Sequence, residues 1–344
     1  MKFLRNDISG SFGFGITEIE NLKAKLDQNE CGRELPGELK ELIREELFRF
    51  KLNRYPQPRD YYEAKEIFAE SAGFKPQNIF LTVGCDQVIM MAFWLAGGPG
   101  RRALIFEPTY PMFAHAAMIM GTEAVRINLG ADFVWDTSYF DRGFHLINIV
   151  TPNNPTGHLA GDEVVESALK TGSFVFVDEA YHDFSGKTYS GFLEEYENMM
   201  IGRSLAKSGL AGLRLGYGIT RPEIAALAEG LLFIPYHLNF LQLAAARAYP
   251  GLKPFLEAWA RDVNAEKERL YRFFEEQGIP YQRSHANFVL FRVREPEKVY
   301  NCLLGECIRI RNTSSLKGLE GWLRVTIGTR EEMDCFMSAL TRAL

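Results

Sequence analysis

Between residues 76 and 220 the chain alternates short β-forming runs with segments of helical periodicity, and this alternation constrains the fold most. Several of the runs are apolar throughout, as expected for strands that are covered on both faces. Such alternation predicts a mostly parallel, doubly wound sheet of the α/β class. The predicted strands are 78–83, 103–106, 124–129, 145–150, 173–177, 199–202 and 215–220, and the predicted helices are 86–95, 111–120, 161–169 and 222–231.

After residue 252 the pattern changes to that of a smaller α+β unit. Its predicted elements are a long amphipathic helix over 254–278, strands at 288–293 and 322–327, and a closing helix over 330–344. A chain of 344 residues is long enough for two domains. We therefore expect a large domain of residues 46–245 and a small domain of residues 1–45 and 246–344.

Charge and cysteine usage exclude several classes of function. The net charge is −5, and no basic stripe suggests binding of a nucleic acid or of a membrane surface. The five cysteines form no CxxC pair and have no histidine cluster nearby, so we expect reduced thiols and no metal site. The longest nearly uncharged run, 88–98, is shorter than the roughly 20 residues that cross a bilayer. The N-terminus lacks the apolar region of a signal peptide, so we expect a soluble, cytoplasmic protein.

Polar side chains follow several predicted strands, at the sheet edge where α/β proteins bind ligands. Asn154 lies in a proline-rich loop after 145–150, and Asp178 follows 173–177. Asp178 could cap the next helix, or it could keep a heteroaromatic nitrogen protonated. Lys207 follows 199–202 and precedes a glycine-rich apolar loop, where a desolvated amine could act as a nucleophile.

Further groups suited to a phosphate and to an aromatic ring lie at the same edge. Ser204 and Arg214 flank Lys207 with a hydroxyl and a guanidinium. Cys85 and Asp86 open a helix after a strand, where free backbone N–H groups bind anions. Tyr110 could stack on a ring or belong to the core. Each group has an ordinary structural explanation, but their joint occurrence in this order favours one functional site.

Three segments resemble the signatures of fold-type I aminotransferases: 154–157 (Asn-Pro-Thr-Gly), 178–181 (Asp-Glu-Ala-Tyr), and 203–207 (Arg-Ser-Leu-Ala-Lys) followed by 209–214 (Gly-Leu-Ala-Gly-Leu-Arg). The resemblance extends from 54–56 to 323–332. The chain is most similar to the histidinol-phosphate aminotransferases and the related threonine-phosphate decarboxylases.

The resemblance implies pyridoxal 5′-phosphate (PLP) as cofactor and assigns a role to each residue. Lys207 would form a Schiff base with the cofactor and then move a proton, and Asp178 would pair with the pyridine nitrogen. The other implied cofactor contacts are Asn154 and Tyr181 with the ring hydroxyl, Tyr110 with the ring face, and the backbone of Cys85 and Asp86, Ser204 and Arg214 with the phosphate. Arg324 would bind the substrate α-carboxylate. Tyr55 would reach the cofactor phosphate of a neighbouring subunit, which implies a homodimer.

The chain departs from the family pattern at three places. Lys207 and Arg214 are seven residues apart where eight is usual, and Ala206 replaces the serine that usually precedes the lysine. The Asn-x-Asn-Pro segment near the N-terminus is not recognisable. Residues 7–13 are taken to stand in its place, so we expect its amides to be lost from the substrate pocket.

Three functions are compatible with the resemblance. Segments 107–112 and 326–332 look like enzymes that transaminate histidinol phosphate or an aromatic amino acid with 2-oxoglutarate as the 2-oxo acid. Segment 310–319 looks like the threonine-phosphate decarboxylases, as does 7–9. In either case Arg311 would bind a substrate phosphate, unless it forms a surface salt bridge. A DNA-binding regulator with a PLP fold would need a helix-turn-helix domain, which the first 50 residues are too few to supply.

Overall fold

The computed structural model describes residues 21–344, which form two β-sheets surrounded by helices. The strands are β1 (Ala24–Leu26), β2 (Ile79–Thr82), β3 (Arg102–Glu107), β4 (Glu123–Asn128), β5 (Leu146–Val150), β6 (Phe174–Asp178), β7 (Met199–Ser204), β8 (Gly216–Thr220), β9 (Tyr281–Gln282), β10 (Phe288–Arg292), β11 (Ile308–Asn312) and β12 (Trp322–Thr326). The helices are α1 (Gly37–Phe48), α2 (Pro58–Ala72), α3 (Cys85–Ala96), α4 (Met112–Met120), α5 (Asp162–Lys170), α6 (His182–Ser185), α7 (Pro222–Leu232), α8 (Phe240–Glu276), α9 (Pro296–Gly305) and α10 (Arg330–Ala343).

The larger sheet has seven strands in the order β2-β8-β7-β6-β5-β3-β4. Strands β3 to β7 pair in parallel, and β8 runs antiparallel to both of its neighbours. The predicted mostly parallel, doubly wound sheet is therefore confirmed, and no strand end differs from its prediction by more than two residues. The central strands β5 and β7 are buried along their whole length, which explains why their sequences are mostly apolar without alternation, apart from Asn148 in β5 and the last two residues of β7.

The smaller sheet has five strands in the order β1-β11-β12-β10-β9. Strand β1 pairs in parallel with β11, and the other pairs are antiparallel. The predicted strands β10 and β12 and the closing helix α10 are confirmed. Strands β1, β9 and β11 were not predicted, and β1 is only three residues long, too short to show a period.

Helix α8 connects the two sheets and begins 14 residues before the predicted start at residue 254. Pro250 and Pro254 lie inside it, whereas proline usually ends a helix. Its first part packs with the larger sheet through Leu243 and Leu252, and its second part packs with the smaller sheet through Trp259 and Leu270. The domain limits at residues 45/46 and 245/246 remain a prediction, and the second limit falls within this helix.

No helix among residues 21–344 is both long enough and apolar enough to cross a membrane.

Candidate active site

The carboxyl ends of the larger sheet bring together the residues that the sequence singled out. Asp178 is the last residue of β6, and Ser204 is the last residue of β7. Asn154 lies in the loop after β5, and Lys207 lies in the turn after β7. The smaller sheet faces them with Arg324, which donates a hydrogen bond to the side-chain oxygen of Asn154. The site therefore lies where the two sheets meet.

Asp178 is a buried carboxylate with few partners. Its Oδ1 accepts a hydrogen bond from the backbone N–H of Ala180 at 2.9 Å, and the Cys85 thiol lies 3.8 Å away. Within residues 21–344 no hydrogen bond reaches Oδ2. Burial, together with the negative charge of Asp86, raises the pKa of Asp178 to about 7. Among the described residues, no cationic side chain forms a salt bridge with this carboxylate.

Lys207 is held in a tight turn over residues 206–210. Gly209 in that turn has φ 150°, and a Cβ there would come within 2.9 Å of Leu256, so the turn requires glycine. The Lys207 Nζ lies 3.3 Å from the backbone oxygen of Gln28. Burial and then the positive charge of Arg324 lower the pKa of Lys207 to about 8. A substantial share of this amine is therefore neutral near neutral pH.

Tyr181 links the larger sheet to the N-terminal part of the chain. Its hydroxyl accepts a hydrogen bond from Asn29 Nδ2 at 2.9 Å, and its ring packs edge-on against Phe288. Burial raises the pKa of Tyr181 to about 12, although the Arg324 cation opposes the shift. The phenol is neutral under ordinary conditions and can act as a hydrogen-bond donor.

The start of α3 and the segment from Lys207 to Arg214 meet at one corner of the site. Gly84 precedes α3 with φ 73°, and a Cβ on it would lie 2.7 Å from Nη2 of Arg214. Arg214 donates a hydrogen bond to Asp86 at 3.0 Å, and so does the Tyr110 hydroxyl. Arg214 adopts a left-handed conformation (φ 50°), and in it the seven-residue spacing still brings the guanidinium to the α3 N-terminus.

Ser204 is the remaining residue predicted for this corner. Its side chain is buried, and Oγ accepts a hydrogen bond from the backbone N–H of Ala206 at 3.2 Å. As a hydroxyl it can still donate its own proton to an anion.

Arg324 and Arg311 lie directly opposite each other on β12 and β11. Arg324 is 7% exposed, donates to the backbone oxygen of Asp27 at 2.6 Å, and lies 5.1 Å from the centre of the Phe288 ring. Burial lowers the pKa of Arg324 to about 10, which still leaves it cationic at neutral pH. Arg311 has no carboxylate partner within residues 21–344, so the alternative of a surface salt bridge is not observed there.

Tyr55 is not brought to this group of residues. Its side chain is 75% exposed, and its ring packs edge-on against Tyr236 at a centroid distance of 5.4 Å.

Three residues that the sequence reasoning missed reach the site from the loop after β1. Asp27 contacts Arg324, Gln28 contacts Lys207, and Asn29 contacts Tyr181. The loss of the family's N-terminal amides from the pocket stays a prediction, although Asn29 brings one side-chain amide to Tyr181. Residues 7–13, which were taken to stand there, lie outside the described residues. The available signal was weak, a single asparagine after a three-residue strand.

The chain matches the family model "Aminotransferase class I and II" over residues 23–340. It is 32% identical to the histidinol-phosphate aminotransferase of Caldanaerobacter subterraneus subsp. tengcongensis over 99% of this chain and 98% of that protein. It is 35% identical to the histidinol-phosphate aminotransferase of Pyrococcus furiosus over 94% of this chain and 93% of that protein.

A solved structure agrees with these comparisons. The histidinol-phosphate aminotransferase of Clostridium acetobutylicum superposes with a TM-score of 0.83 at 26% identity, covering 92% of this chain and 97% of that one. The chain therefore belongs to the aminotransferase class I and II family, whose members are pyridoxal-phosphate-dependent enzymes.

Proposed function

We propose that the protein transfers an amino group between histidinol phosphate and 2-oxoglutarate at the site built around Lys207. The observation that carries the substrate proposal is the pair Arg311 and Arg324, two arginines side by side at the site. The similarity to proteins named histidinol-phosphate aminotransferase, at 32–35% identity, supports the same choice.

The residues present fit PLP. Burial raises the pKa of Asp178, and within residues 21–344 no hydrogen bond reaches its Oδ2. A protonated ring nitrogen at Oδ2 would stabilise the ionised carboxylate and lower that pKa again. Ser208, next to Lys207, has a buried hydroxyl with no partner within residues 21–344. When bound, PLP supplies an electron sink for the carbanion that forms at the substrate α-carbon.

The proposed cofactor contacts are those that the family resemblance implies. The N–H groups of Cys85 and Asp86 at the start of α3, with Ser204 and Arg214, would hold the phosphate. Asp178 would hold the ring nitrogen, and Asn154 and Tyr181 the ring hydroxyl. Tyr110 would cover the ring face. The contact between Asp86 and Arg214 partly neutralises the acid beside the phosphate position.

Lys207 is proposed as the base that would move a proton between the substrate α-carbon and the C4′ position of the cofactor. Only a neutral amine can accept that proton, and the lowered pKa makes this form available. Burial and the nearby Arg324 are the two largest causes, so the anion-binding residue also tunes the base.

The two arginines match both partners of the proposed reaction. In histidinol phosphate, the carbon that bears the amine also bears a CH2–O–phosphate group, where an amino acid has its carboxylate. The other substrate, 2-oxoglutarate, has two carboxylates. Arg324 would bind the α-carboxylate or the phosphate, and Arg311 would share the phosphate or bind the second carboxylate. Threonine phosphate also has two anions, so decarboxylation remains the alternative.

A product assay separates these functions. The purified holoenzyme is given 2-oxoglutarate with histidinol phosphate, phenylalanine or threonine phosphate in turn. We expect glutamate, formed fastest with histidinol phosphate. Carbon dioxide released from threonine phosphate without glutamate would show that the alternative is correct.

We also propose that the protein is a cytoplasmic homodimer whose two sites each use a residue of the other subunit. An exposed apolar face supports the dimer; in it the ring of Tyr236 contacts the rings of Tyr55 and Phe233. Phe48, Leu52, Leu227 and Leu231 are further exposed apolar side chains. A patch of this kind on a folded protein favours association. The exposed Tyr55 lies on this face, where it could reach a partner. The five cysteines are all free thiols, as is usual in the cytoplasm.

Mixing two defective variants tests the shared site. Lys207→Ala protomers have no base, and Tyr55→Ala protomers lack the proposed cross-subunit contact. A hybrid dimer would contain one site with both residues intact, so the mixture should be more active than Tyr55→Ala alone. If the Lys207→Ala protomers add nothing although hybrids form, Tyr55 does not act across the interface.

A further inference from the structure

Asp27 lies between two arginines of the smaller sheet and contacts them in different ways. Its backbone oxygen accepts a hydrogen bond from Nη2 of Arg324 at 2.6 Å. Its carboxylate forms an ion pair with Arg309, with a distance of 3.0 Å between Oδ2 and Nε. The Asp27 and Arg309 side chains are only 2% and 9% exposed. The carboxylate is thus directed to Arg309, although its own backbone touches Arg324.

Two complementary atoms nearby lack partners. Oδ1 of Asp27 is buried without a hydrogen-bond donor, and Nε of Arg324 is buried without an acceptor, within residues 21–344. A buried carboxylate oxygen or guanidinium N–H without a partner is costly, so the two groups attract each other. The ion pair between Arg309 and Oδ2 opposes this attraction between the Asp27 carboxylate and Arg324.

We propose that Arg309 is a positioning residue that holds the Asp27 carboxylate away from Arg324 and so keeps Arg324 available to the anionic group of the substrate. The inference rests on the proposed function of Arg324. Without Arg309, the Asp27 carboxylate pairs with Arg324 and competes with the substrate from within the chain. The Asp27 carboxylate would compete at a high effective concentration, because the backbone of the same residue is already in contact with Arg324.

The place of Arg309 in the sheet makes this role distinct from a general contribution to stability. It lies on β11 two residues before Arg311, and its backbone is in register with Lys25 of β1. Breaking any buried ion pair lowers stability, since the remaining charge is uncompensated. Lys65 and Glu229 form another buried ion pair, between α2 and α7, and serve as the matched control. Only loss of Arg309 is expected to weaken substrate binding.

The test measures KM and kcat of the holoenzyme, and the Kd of glutarate, a dicarboxylate without an amino group, by calorimetry. Arg309→Met should raise KM for 2-oxoglutarate and the Kd of glutarate by roughly 10- to 100-fold, with little change in kcat. The double variant Asp27→Asn/Arg309→Met should recover both values to within about threefold of wild type, because the competing charge is gone. Lys65→Met should lower the melting temperature and leave both values unchanged.

A double variant that binds glutarate no better than Arg309→Met overturns the proposal, since Asp27 is then not the competitor. If Arg309→Met does not fold, Asp27→Asn alone decides: its Kd should not exceed that of wild type, and a tenfold weaker Kd overturns the proposal. Arg324→Met is measured in parallel. If it leaves the Kd of glutarate unchanged, the proposed function of Arg324 itself fails. If Arg324→Met weakens binding and Arg309→Met does not, the inference about Arg309 fails alone.

Discussion

The two sheets contribute desolvated ionisable residues to the site, and these residues differ in whether their charge changes near neutral pH. On the larger sheet, Asp178 is 4% exposed and has its pKa raised to about 7, and the pKa of Lys207 is lowered to about 8. On the smaller sheet, Arg324 is 7% exposed, yet its pKa falls only to about 10. Burial alone does not explain the difference, because all three groups are desolvated. The high intrinsic pKa of arginine keeps it charged where a carboxyl or an amine changes state.

This comparison indicates that the larger sheet supplies the groups for proton transfer and the smaller sheet supplies the groups for anion binding. Groups that change protonation near neutral pH can move protons, and groups that stay charged can bind anions. Four experiments can break or sharpen this comparison, and they follow in order of expected effect.

Lys207→Ala removes the amine that is proposed to transfer the proton. We expect kcat to fall by roughly 10⁴-fold or more, because both the covalent attachment and the base are lost. The variant should still bind PLP, and borohydride should fix the cofactor to the peptide containing Lys207 in wild type but not in the variant. Lys267 is a matched control, because burial lowers its pKa to about 8 as well. Lys267→Met should keep its activity, and a label recovered on Lys267 would contradict the assignment.

Asp178→Asn keeps the shape of the side chain and removes its charge. We expect kcat/KM to fall by roughly 10²- to 10³-fold, since the ring nitrogen would lose its anionic partner. Whereas activity falls, the stability of the apoenzyme should rise in this variant at high pH. The folded pKa of about 7 exceeds the ordinary aspartate pKa of 3.8, so the stability due to protonation is fully present below pH 3.8 and is lost as the pH rises to 7.

At pH 8 the Asp178→Asn apoenzyme should therefore be more stable than wild type, by at most about 4 kcal/mol, and at pH 4 the two should be alike. Urea unfolding at both pH values measures the difference. Equal destabilisation at pH 4 and pH 8 would mean that the charge of Asp178 is not disfavoured in the folded chain.

Arg324→Lys keeps the positive charge on the smaller sheet and removes the planar fork. Losing a charge-assisted bidentate contact should cost about 2–3 kcal/mol, or roughly 30- to 150-fold in kcat/KM. Cofactor absorbance and melting temperature should change little. Arg292→Lys, at an exposed position on β10, is the control and should have no effect. A sharp fall in melting temperature with kcat/KM intact would mean that Arg324 serves stability instead.

The rate at which the apoenzyme recombines with PLP should depend on the protonation of Lys207. Only the neutral amine attacks the aldehyde, so the rate should rise by about tenfold between pH 7 and pH 9, with a midpoint near 8. Stopped-flow absorbance measures it. Arg324→Met should move the midpoint to higher pH, because the Arg324 cation helps to lower the pKa of Lys207. A midpoint near 10.5 in wild type would mean that the pKa of Lys207 is not lowered, and would contradict the comparison between the two sheets.

The larger sheet and its site residues could be predicted because the relevant signals are local. Each strand is a continuous apolar run, and Asp178, Ser204 and Lys207 lie at or just after a strand end. The sheet geometry then brings them together without any knowledge of distant pairing. The same reasoning placed Arg324 on a strand of the smaller sheet.

The remaining parts depend on contacts between segments far apart in sequence. Asp27 and Asn29 reach the site because β1 pairs with β11 near the other end of the chain, and no local pattern encodes that pairing. Helix α8 continues through Pro250 and Pro254 because it packs on both sheets, which offsets an unfavourable local preference.

The pairing of β1 with β11 also sets an order in which the molecule can assemble during synthesis. The contact between Asp27 and Arg324 spans 297 residues, whereas the larger sheet uses only strands between Ile79 and Thr220. Closing so long a loop is entropically costly and slow, and chains of this size fold region by region as they leave the ribosome. The half of the site with Asp178 and Lys207 can therefore form while β11 and β12 are still untranslated. Strand β1 cannot pair with β11 until synthesis has passed residue 308 of 344.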